Sequence, residues 1–346
     1  MFSNRLTRTR LRLSNMAKWY KIPDNNKLRP FTFIVGGRGI GKTYSAIDEG
    51  ITNHRNTFLY LRNTREQLQE SCGAFGNPFK KWARDHDRDI RLVSEKNHAL
   101  IKEWKNDGQH IIEDIIGSGA NLSTFENLRG VDLETNFILF DEFIENRTLT
   151  FDQFKAFLHM YETVNRNREL EGLPACICVL LSNAQRLGNP ILRGFNLIPI
   201  IENMQKTGQR SYADGPIRIE LPFSEVSEEK RQTALYKATE GTSFNSEALD
   251  NNFINDSFTC VKKVNINEYT PLVCIDGIYI YKHKSELNYY ACSIPANVKK
   301  YRSVDNFLVF YKIYGFKLKM AVASDLVYFS DYSTKVDLLQ LLRILY

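Results

Sequence analysis

The stretch "TFIVGGRGIGKTYSA" (Thr32–Ala46) decides how the first half of this 346-residue chain is read. An apolar run of strand length enters a glycine-rich turn and leaves it in a helix-forming segment. Gly36, Gly37, Arg38, Gly39, Ile40, Gly41, Lys42 and Thr43 satisfy G-x-x-x-x-G-K-[S/T] at every fixed position. Gly36 and Gly41 let the backbone turn its N–H groups toward phosphate oxygens. Lys42 is expected to neutralise the β- and γ-phosphates, and Thr43 to offer its hydroxyl to Mg²⁺. The following helix adds the partial positive charge of its N-terminus. Chance alone would place this pattern in a chain this long on the order of one time in a hundred. The competing reading is a glycine turn that merely tolerates positive φ.

Working outward, "NFILFDEF" (136–143) is an apolar strand ending in Asp141-Glu142. A carboxylate at that place, about a hundred residues after a phosphate loop, suits a second Mg²⁺ position, and Glu142 beside it suits polarising a water for in-line attack on a γ-phosphate. A solvated acidic turn is the plainer alternative. Glu directly after Asp favours hydrolysing NTPases of the additional-strand class over simple kinases. "CICVLLSNAQ" (176–185) is a further buried strand, ending in Ser182-Asn183. Asn183, with Ser182 second, is placed to sense a γ-phosphate, or else simply favours the turn. "ETVNRNRE" (162–169) sets Arg166 and Arg168 at the expected end of a long helix. There they either bond the last carbonyls or act as an arginine finger on a neighbouring subunit's nucleotide.

Between these motifs, apolar strands alternate with helices. Strands are expected at 31–35, 57–62, 136–140 and 176–181, and helices over 42–53, "REQLQESC", "NPFKKWARDHD" and "FDQFKAFLHMYETVNRNRE". "IRLVS", "ALIKEW" and "QHIIEDII" form a local antiparallel insertion. Continuous apolar strands separated by helices predict an α/β domain with a mainly parallel sheet covered on both faces. After about Glu202 the chain becomes more polar. "KTGQRSYADG" is expected as a loop and "IRIELP" as a short strand. "SEEKRQTALYKATEGT" is expected as one helix capped at Ser227, and "NSEALDNNFIND" as a linker. From Phe258 the pattern turns β-rich and aromatic, "FLVFYKIYGFKL" included, and "DLLQLLRIL" closes it as a helix. The expected organisation is a basic arm and lead-in over 1–30, an ATPase domain over 31–205, a connector over 206–257 and a small α+β domain over 258–346. Residues 1–15 read as a flexible arm, with Met16 a candidate functional start.

Composition narrows the function. At 43% hydrophobic and 25% charged the chain is globular, and no apolar run reaches membrane-spanning length. No secretory signal is expected at the N-terminus. Cys72, Cys176, Cys178, Cys260, Cys274 and Cys292 form no CxxC pair and read as reduced, buried thiols in a cytoplasm rather than as metal ligands. The net charge is +6, and residues 258–346 carry 12 Lys and Arg against 7 Asp and Glu, a local +5. That balance suits a polyanionic partner.

Taken in order, "FIVGGRGIGKT", "FILFDEFI", "TVNRNRE", "CICVLLSNA" and "NPILRGFNLIP" resemble the genome-packaging ATPases of small tailed phages of the phi29 type. Those in turn resemble the large terminase subunits of other tailed phages. The similarity is dense from Phe31 to Pro199, continues through "ALDNNFINDS" (248–257) and fades beyond. It implies an additional-strand P-loop ATPase using ATP and Mg²⁺. The subunits would assemble as a homo-oligomeric ring, a pentamer, on the portal of a procapsid in the host cytoplasm, drive double-stranded DNA inward and touch no membrane. Whether an RNA adaptor joins the ring stays open. By the same resemblance Lys42 and Thr43 hold phosphate and Mg²⁺, Asp141 and Glu142 form the Walker B pair, and Arg166 acts in trans. Ser182 and Asn183 form the coupling motif, Arg129 in "ENLRG" is a second trans-acting base, and Tyr20 is a candidate to stack on adenine. The C-terminal part is implied to be an RNase H-like nuclease without its acidic site. Asp276, Asp305, Asp325 and Asp331 lack a partner pattern there, so nuclease activity is expected to be absent. The rival readings are another nucleic-acid translocase or helicase, a nucleotide-switched adaptor that does not hydrolyse, and a small-molecule kinase.

Overall fold

The computed structural model describes residues 19–342, except 97, 107, 109, 129–133, 146–148, 184–186, 223–224, 241 and 243–259. Two compact units separate. One comprises the chain up to Gly194 and from Ile201 to Ile254, and the other Phe195–Ile200 and the chain from Asn255 on.

The first unit is built on a nine-stranded mixed sheet. Its strands are β1 (Phe31–Val35), β2 (Phe58–Arg62), β3 (Asp89–Ser94), β4 (Ala99–Asn106), β5 (Ile111–Asn121), β6 (Phe137–Asp141), β7 (Ile177–Ser182), β8 (Ser211–Asp214) and β9 (Ile217–Glu220), in the order β3-β4-β5-β2-β6-β7-β1-β9-β8. The six from β5 to β9 in that order run parallel, and β3, β4 and β8 are antiparallel additions at the two edges. β7 lies between β1 and β6, pairing Phe33 with Leu180 on one side and Phe140 with Leu180 on the other. The central strands are apolar because both faces are covered. Phe33, Ile34, Leu59, Leu61, Ile138 and Leu139 are fully buried.

The crossover helices are α1 (Lys42–Asn53), α2 (Arg65–Cys72), α3 (Phe79–Asp85), α4 (Gln153–Asn165) and the short α5 (Pro190–Gly194). α1 packs Ala46, Ile47, Gly50 and Ile51 inward, and burying each isoleucine contributes about 2–3 kcal/mol. Gly50 is where helix and sheet approach closest: a Cβ there would fall 2.6 Å from the Phe58 ring. α2 starts on a capping box, Thr64 Oγ1 accepting from the Gln67 N–H and Gln67 Oε1 accepting from the Thr64 N–H. Asp152 caps α4 by accepting from the Lys155 N–H at 3.0 Å.

Three local expectations are corrected. The insertion is not merely local, because β5 is long enough to leave its hairpin partner and pair in parallel with β2. The polar segment read as a loop before "IRIELP" contains β8, whose backbone is satisfied by β9. β9 in turn pairs with β1 and draws the segment into the main sheet. The helix expected around Ser227 starts two residues earlier, as α7 (Glu225–Arg231), and breaks before α8 (Ala234–Ala238), with α6 (Ile198–Thr207) preceding both. Ser227 is buried inside α7 and does not cap it.

The second unit is a five-stranded mixed sheet of β10 (Tyr269–Ile275), β11 (Ile278–His283), β12 (Tyr289–Cys292), β13 (Lys300–Tyr301) and β14 (Val327–Phe329), ordered β13-β10-β11-β12-β14. Val273, Ile280, Ala291, Phe310, Leu318 and Leu338 form its core. "FLVFYKIYGFKL" was expected among the β-rich segments and is instead helical. α9 (Phe307–Phe310) passes through a π turn, Tyr311–Gly315, into α10 (Phe316–Ala323), and α11 (Tyr332–Leu341) follows. Its inward residues are Phe310, Gly315, Leu318 and Ala321. The π turn widens the first interval, which hides the helical period from a reading of the sequence. All six cysteines are free, and five are buried.

Candidate functional site

The glycine loop leaves the carboxyl end of β1 and closes onto α1 through Gly41, whose φ of +101° is accessible to glycine at little cost. Its carbonyls are engaged in sequence. Lys42 Nζ donates to Gly36 O at 2.9 Å and to Gly37 O at 2.6 Å. Lys230 Nζ donates to Arg38 O and Gly39 O, and the Tyr20 N–H donates to Ile40 O at 3.0 Å. The Gly36 N–H donates to Ser182 O at 3.2 Å, tying the loop to the end of β7.

Four of the expected residues converge here. Thr43 Oγ1 donates to Asp141 Oδ1 at 3.0 Å, and Lys42 Nζ donates to Asn183 Oδ1 at 3.2 Å. The start of α1 is therefore tied to the ends of β6 and β7 by these side chains. Lys42 is buried, and burial pushes its ammonium down to about 7. Asp141 pulls against that shift, and Lys230 adds to it. Burial likewise raises the Asp141 carboxyl, with Arg62 opposing, while the Tyr60 hydroxyl donates to Asp141 Oδ2 at 3.1 Å. Glu142 follows with φ +54°, a left-handed backbone that non-glycine residues adopt at a cost of roughly 1–3 kcal/mol and that clusters at functional sites. Its half-exposed carboxylate accepts from Arg62 at 2.7 Å. Glu142, Ser182, Asn183, Arg38 and Arg62 share one cleft of about 710 Å³.

Other expected residues lie elsewhere. Arg166 follows the last turn of α4 with φ +43°, and its Nε donates to Thr163 O at 3.2 Å. α4 begins beside the Asp141–Glu142 turn and ends where Asn165 Oδ1 accepts from the Cys176 N–H, just before β7 begins. Thirteen helical residues span about 20 Å. Arg166 is thus at the opposite edge of the sheet from its own glycine loop, as is Arg168, whose Nε donates to Pro174 O. Arg129 lies outside the described residues, as does 248–257. The expectation for Tyr20 is corrected: its ring packs against the buried core, its hydroxyl is enclosed without a partner, and burial raises its pKa, so it is not free to stack on a base. Trp19 is the aromatic at the surface of the loop, 3.4 Å from where a Gly41 Cβ would sit and with the Lys81 ammonium 4.8 Å over its ring.

Sequence reasoning missed the groups that hold this site in place. Arg62, at the end of β2, pairs with both Asp141 (3.5 Å) and Glu142. Asn63 Nδ2 donates to Glu142 O at 2.9 Å and to Glu145 Oε1 at 2.8 Å. Gln153 Nε2 donates to Asn63 Oδ1 and Phe143 O, and Gln153 Oε1 accepts from Asn189 Nδ2 at 3.0 Å. These three amides are buried and brace the turn that carries Glu142. The available signal was a polar pair, Arg62-Asn63, closing an otherwise apolar strand.

The arrangement is that of an α/β protein with a glycine loop, a buried Asp and a strained Glu at the carboxyl edge of its sheet. The chain belongs to the podovirus DNA encapsidation protein (Gp16) family, whose match covers residues 20–275. It is 32% identical over 246 residues to a DNA packaging protein of Bacillus phage B103, across 68% of each chain. It is 30% identical over 243 residues to that of Bacillus phage phi29, across 68% of this chain and 65% of that one. The matched region thus spans about two thirds of the length of these relatives. A solved structure of the Phi-28 gp11 DNA packaging motor shares the fold at a TM-score of 0.58 and 18% identity, covering 92% of this chain and 94% of that one. The family expected from the ordered motifs is the family found. Among the described residues no helix is long and apolar enough to cross a membrane.

Proposed function

We propose that this chain is the subunit of an ATP-driven, ring-forming motor that moves double-stranded viral DNA into a procapsid. One observation carries the reading. β7 separates β1 from β6, and across that added strand Thr43 still meets Asp141 at 3.0 Å while Lys42 meets Asn183 at the end of β7. That the residues read as nucleotide contacts, acid and sensor share one hydrogen-bonded cluster supports an additional-strand P-loop ATPase. Mg²⁺ fits the donor set: a hydroxyl beside a buried carboxylate whose charged form burial disfavours, at the mouth of a phosphate loop. Thr43 and Asp141 would hold it, and when bound it would supply neutralisation of phosphate charge. Lys42 and the loop N–H groups bind phosphate. Glu142, oriented by Arg62, takes up a proton from the attacking water, and Asn183 reports on the γ-phosphate to β7.

Arg166, past the far end of α4 from its own glycine loop, supports the reading of a finger that acts in trans within a homo-oligomeric ring. For the C-terminal unit we propose a DNA-gripping role without nuclease chemistry. The +5 balance of residues 258–346 favours phosphate contacts. Asp276 accepts from the Ser303 N–H, Asp325 from the Cys260 thiol, and Asp331 caps α11 through the Thr334 N–H, which supports carboxylates spent on turns and caps.

Glu142→Gln should bind ATP with wild-type affinity and lose at least about a hundredfold in turnover. Undiminished hydrolysis in that variant would overturn the assignment. Negligible hydrolysis by the wild type with DNA and Mg²⁺ would favour the nucleotide-switched adaptor instead.

A further inference from the structure

Lys230 comes from α7, 191 residues beyond Gly39, and places its ammonium on two successive carbonyls of the glycine loop. Nζ donates to Arg38 O at 2.5 Å and to Gly39 O at 3.0 Å. Within a trans peptide unit the C=O and N–H point in opposite directions. The carbonyl of Arg38 belongs to the same unit as the N–H of Gly39, and the carbonyl of Gly39 to the same unit as the N–H of Ile40. A cation that draws both carbonyls toward α7 therefore turns both N–H groups away from it.

Gly39 has φ +60°, so its two peptide planes have few side-chain restraints of their own. Its neighbours are held independently, with Gly36 and Gly37 carbonyls on Lys42 and the Ile40 carbonyl on Tyr20. Lys230 holds the two units left between them. The contact is close enough that a Cβ on Gly39 would lie 2.7 Å from Nζ, so the glycine admits the lysine as well as the turn.

We propose that Lys230 is a positioning residue for nucleotide binding. It fixes the two central peptide planes of the loop so that the N–H groups of Gly39 and Ile40 face the phosphates. This rests on the reading of the loop as an ATP site. It adds that the segment after β9, outside every motif of that site, sets its affinity. The effect belongs to the binding of phosphate oxygens and not to the attacking water, so it falls on KM and Kd more than on kcat. Two charge-assisted hydrogen bonds orienting two donors correspond to about a tenfold change in affinity.

The test uses the full chain and N-methylanthraniloyl-ADP titrated by fluorescence, with melting curves for each variant. Lys230→Ala should raise Kd about tenfold and raise KM for ATP more than it lowers kcat, without a matching fall in melting temperature. Lys230→Arg, whose guanidinium can span both carbonyls, should return Kd to within about threefold of wild type. Gly39→Ala should weaken binding more in the wild-type background than in Lys230→Ala, where the clash with Nζ is gone. Equal Kd for wild type and Lys230→Ala overturns the inference, as does an equal cost of Gly39→Ala in both backgrounds. The second comparison holds even if Lys230→Ala melts early. A wild type that binds no nucleotide, and is unchanged by Lys42→Ala, would instead defeat the reading of the site on which the inference rests.

Discussion

Arg62→Ala should destabilise the first unit by about 3 kcal/mol, and the figure follows from where its two partners sit. The Asp141 side chain is 8% exposed and the Arg62 side chain 11%, so their 3.5 Å contact is a buried pair. Removing one member of such a pair costs about 3–5 kcal/mol, because the other is left charged and poorly solvated. Asp141 keeps its hydrogen bonds from Thr43 and Tyr60, which places the cost at the low end. The Glu142 side chain is 54% exposed, and its contact with Arg62 adds at most about 1 kcal/mol. All three tryptophans, Trp19, Trp82 and Trp104, lie in the first unit, so urea denaturation followed by tryptophan fluorescence reports on that unit. For a unit of this size the loss is worth about 6–12 °C in melting temperature. Asp141→Asn in the Arg62→Ala background should recover part of the loss, because the uncompensated charge is gone. A loss below about 1 kcal/mol, or no coupling with Asp141→Asn, would refute the argument and make Arg62 a surface charge.

Glu103 on β4 gives a pH prediction. Burial pushes its carboxyl up, but Arg88 at 2.6 Å and Arg55 at 2.8 Å outweigh burial and hold it at about 2. A carboxyl held lower in the folded state than in the unfolded state stabilises above about pH 4.5, and that contribution is lost as pH falls toward 2. Glu103→Gln should therefore cost roughly 2–3 kcal/mol at pH 7 and little near pH 2, as read by denaturant midpoints at each pH. Gln153→Leu should cost about 2–4 kcal/mol, because it removes the Gln153 partner of buried Asn63 Oδ1, Asn189 Nδ2 and Phe143 O, and should lower turnover by loosening the Glu142 turn. Arg166→Ala should lose ATPase activity and regain part of it when mixed with Lys42→Ala, since each variant supplies what the other lacks. Equal activity in the mixture and in the separate variants would argue against a shared site.

The parts of this protein that were legible in its sequence are those in which the chemistry is contiguous. Gly36 to Thr43 matches a phosphate-loop pattern within eight contiguous residues, and the strands leading to Asp141 and Asn183 announce themselves by apolar runs that end in polar pairs. What could not be read is which strands become neighbours. Arg62 matters because β2 pairs with β6, and no local pattern encodes that adjacency. Lys230 and the Asn63–Gln153–Asn189 brace are likewise contacts over long stretches of chain. The helix at 307–323 was hidden for a local reason. Its aromatic and β-branched residues favour strands, and its π turn breaks the spacing that would have betrayed it. Arg166 was visible as a residue, but only the structure places it past the last turn of α4, at the edge of the sheet away from the glycine loop.

The most direct test of the central claim is movement of DNA. Full-length protein, portal-bearing procapsids and linear double-stranded DNA would be incubated with Mg²⁺ and ATP, and the DNA protected from added nuclease measured. Protection should require hydrolysable ATP and vanish with Glu142→Gln, and the strands should remain paired throughout. Protection that persists without hydrolysis, or ATP-dependent strand separation in place of protection, would contradict a packaging motor.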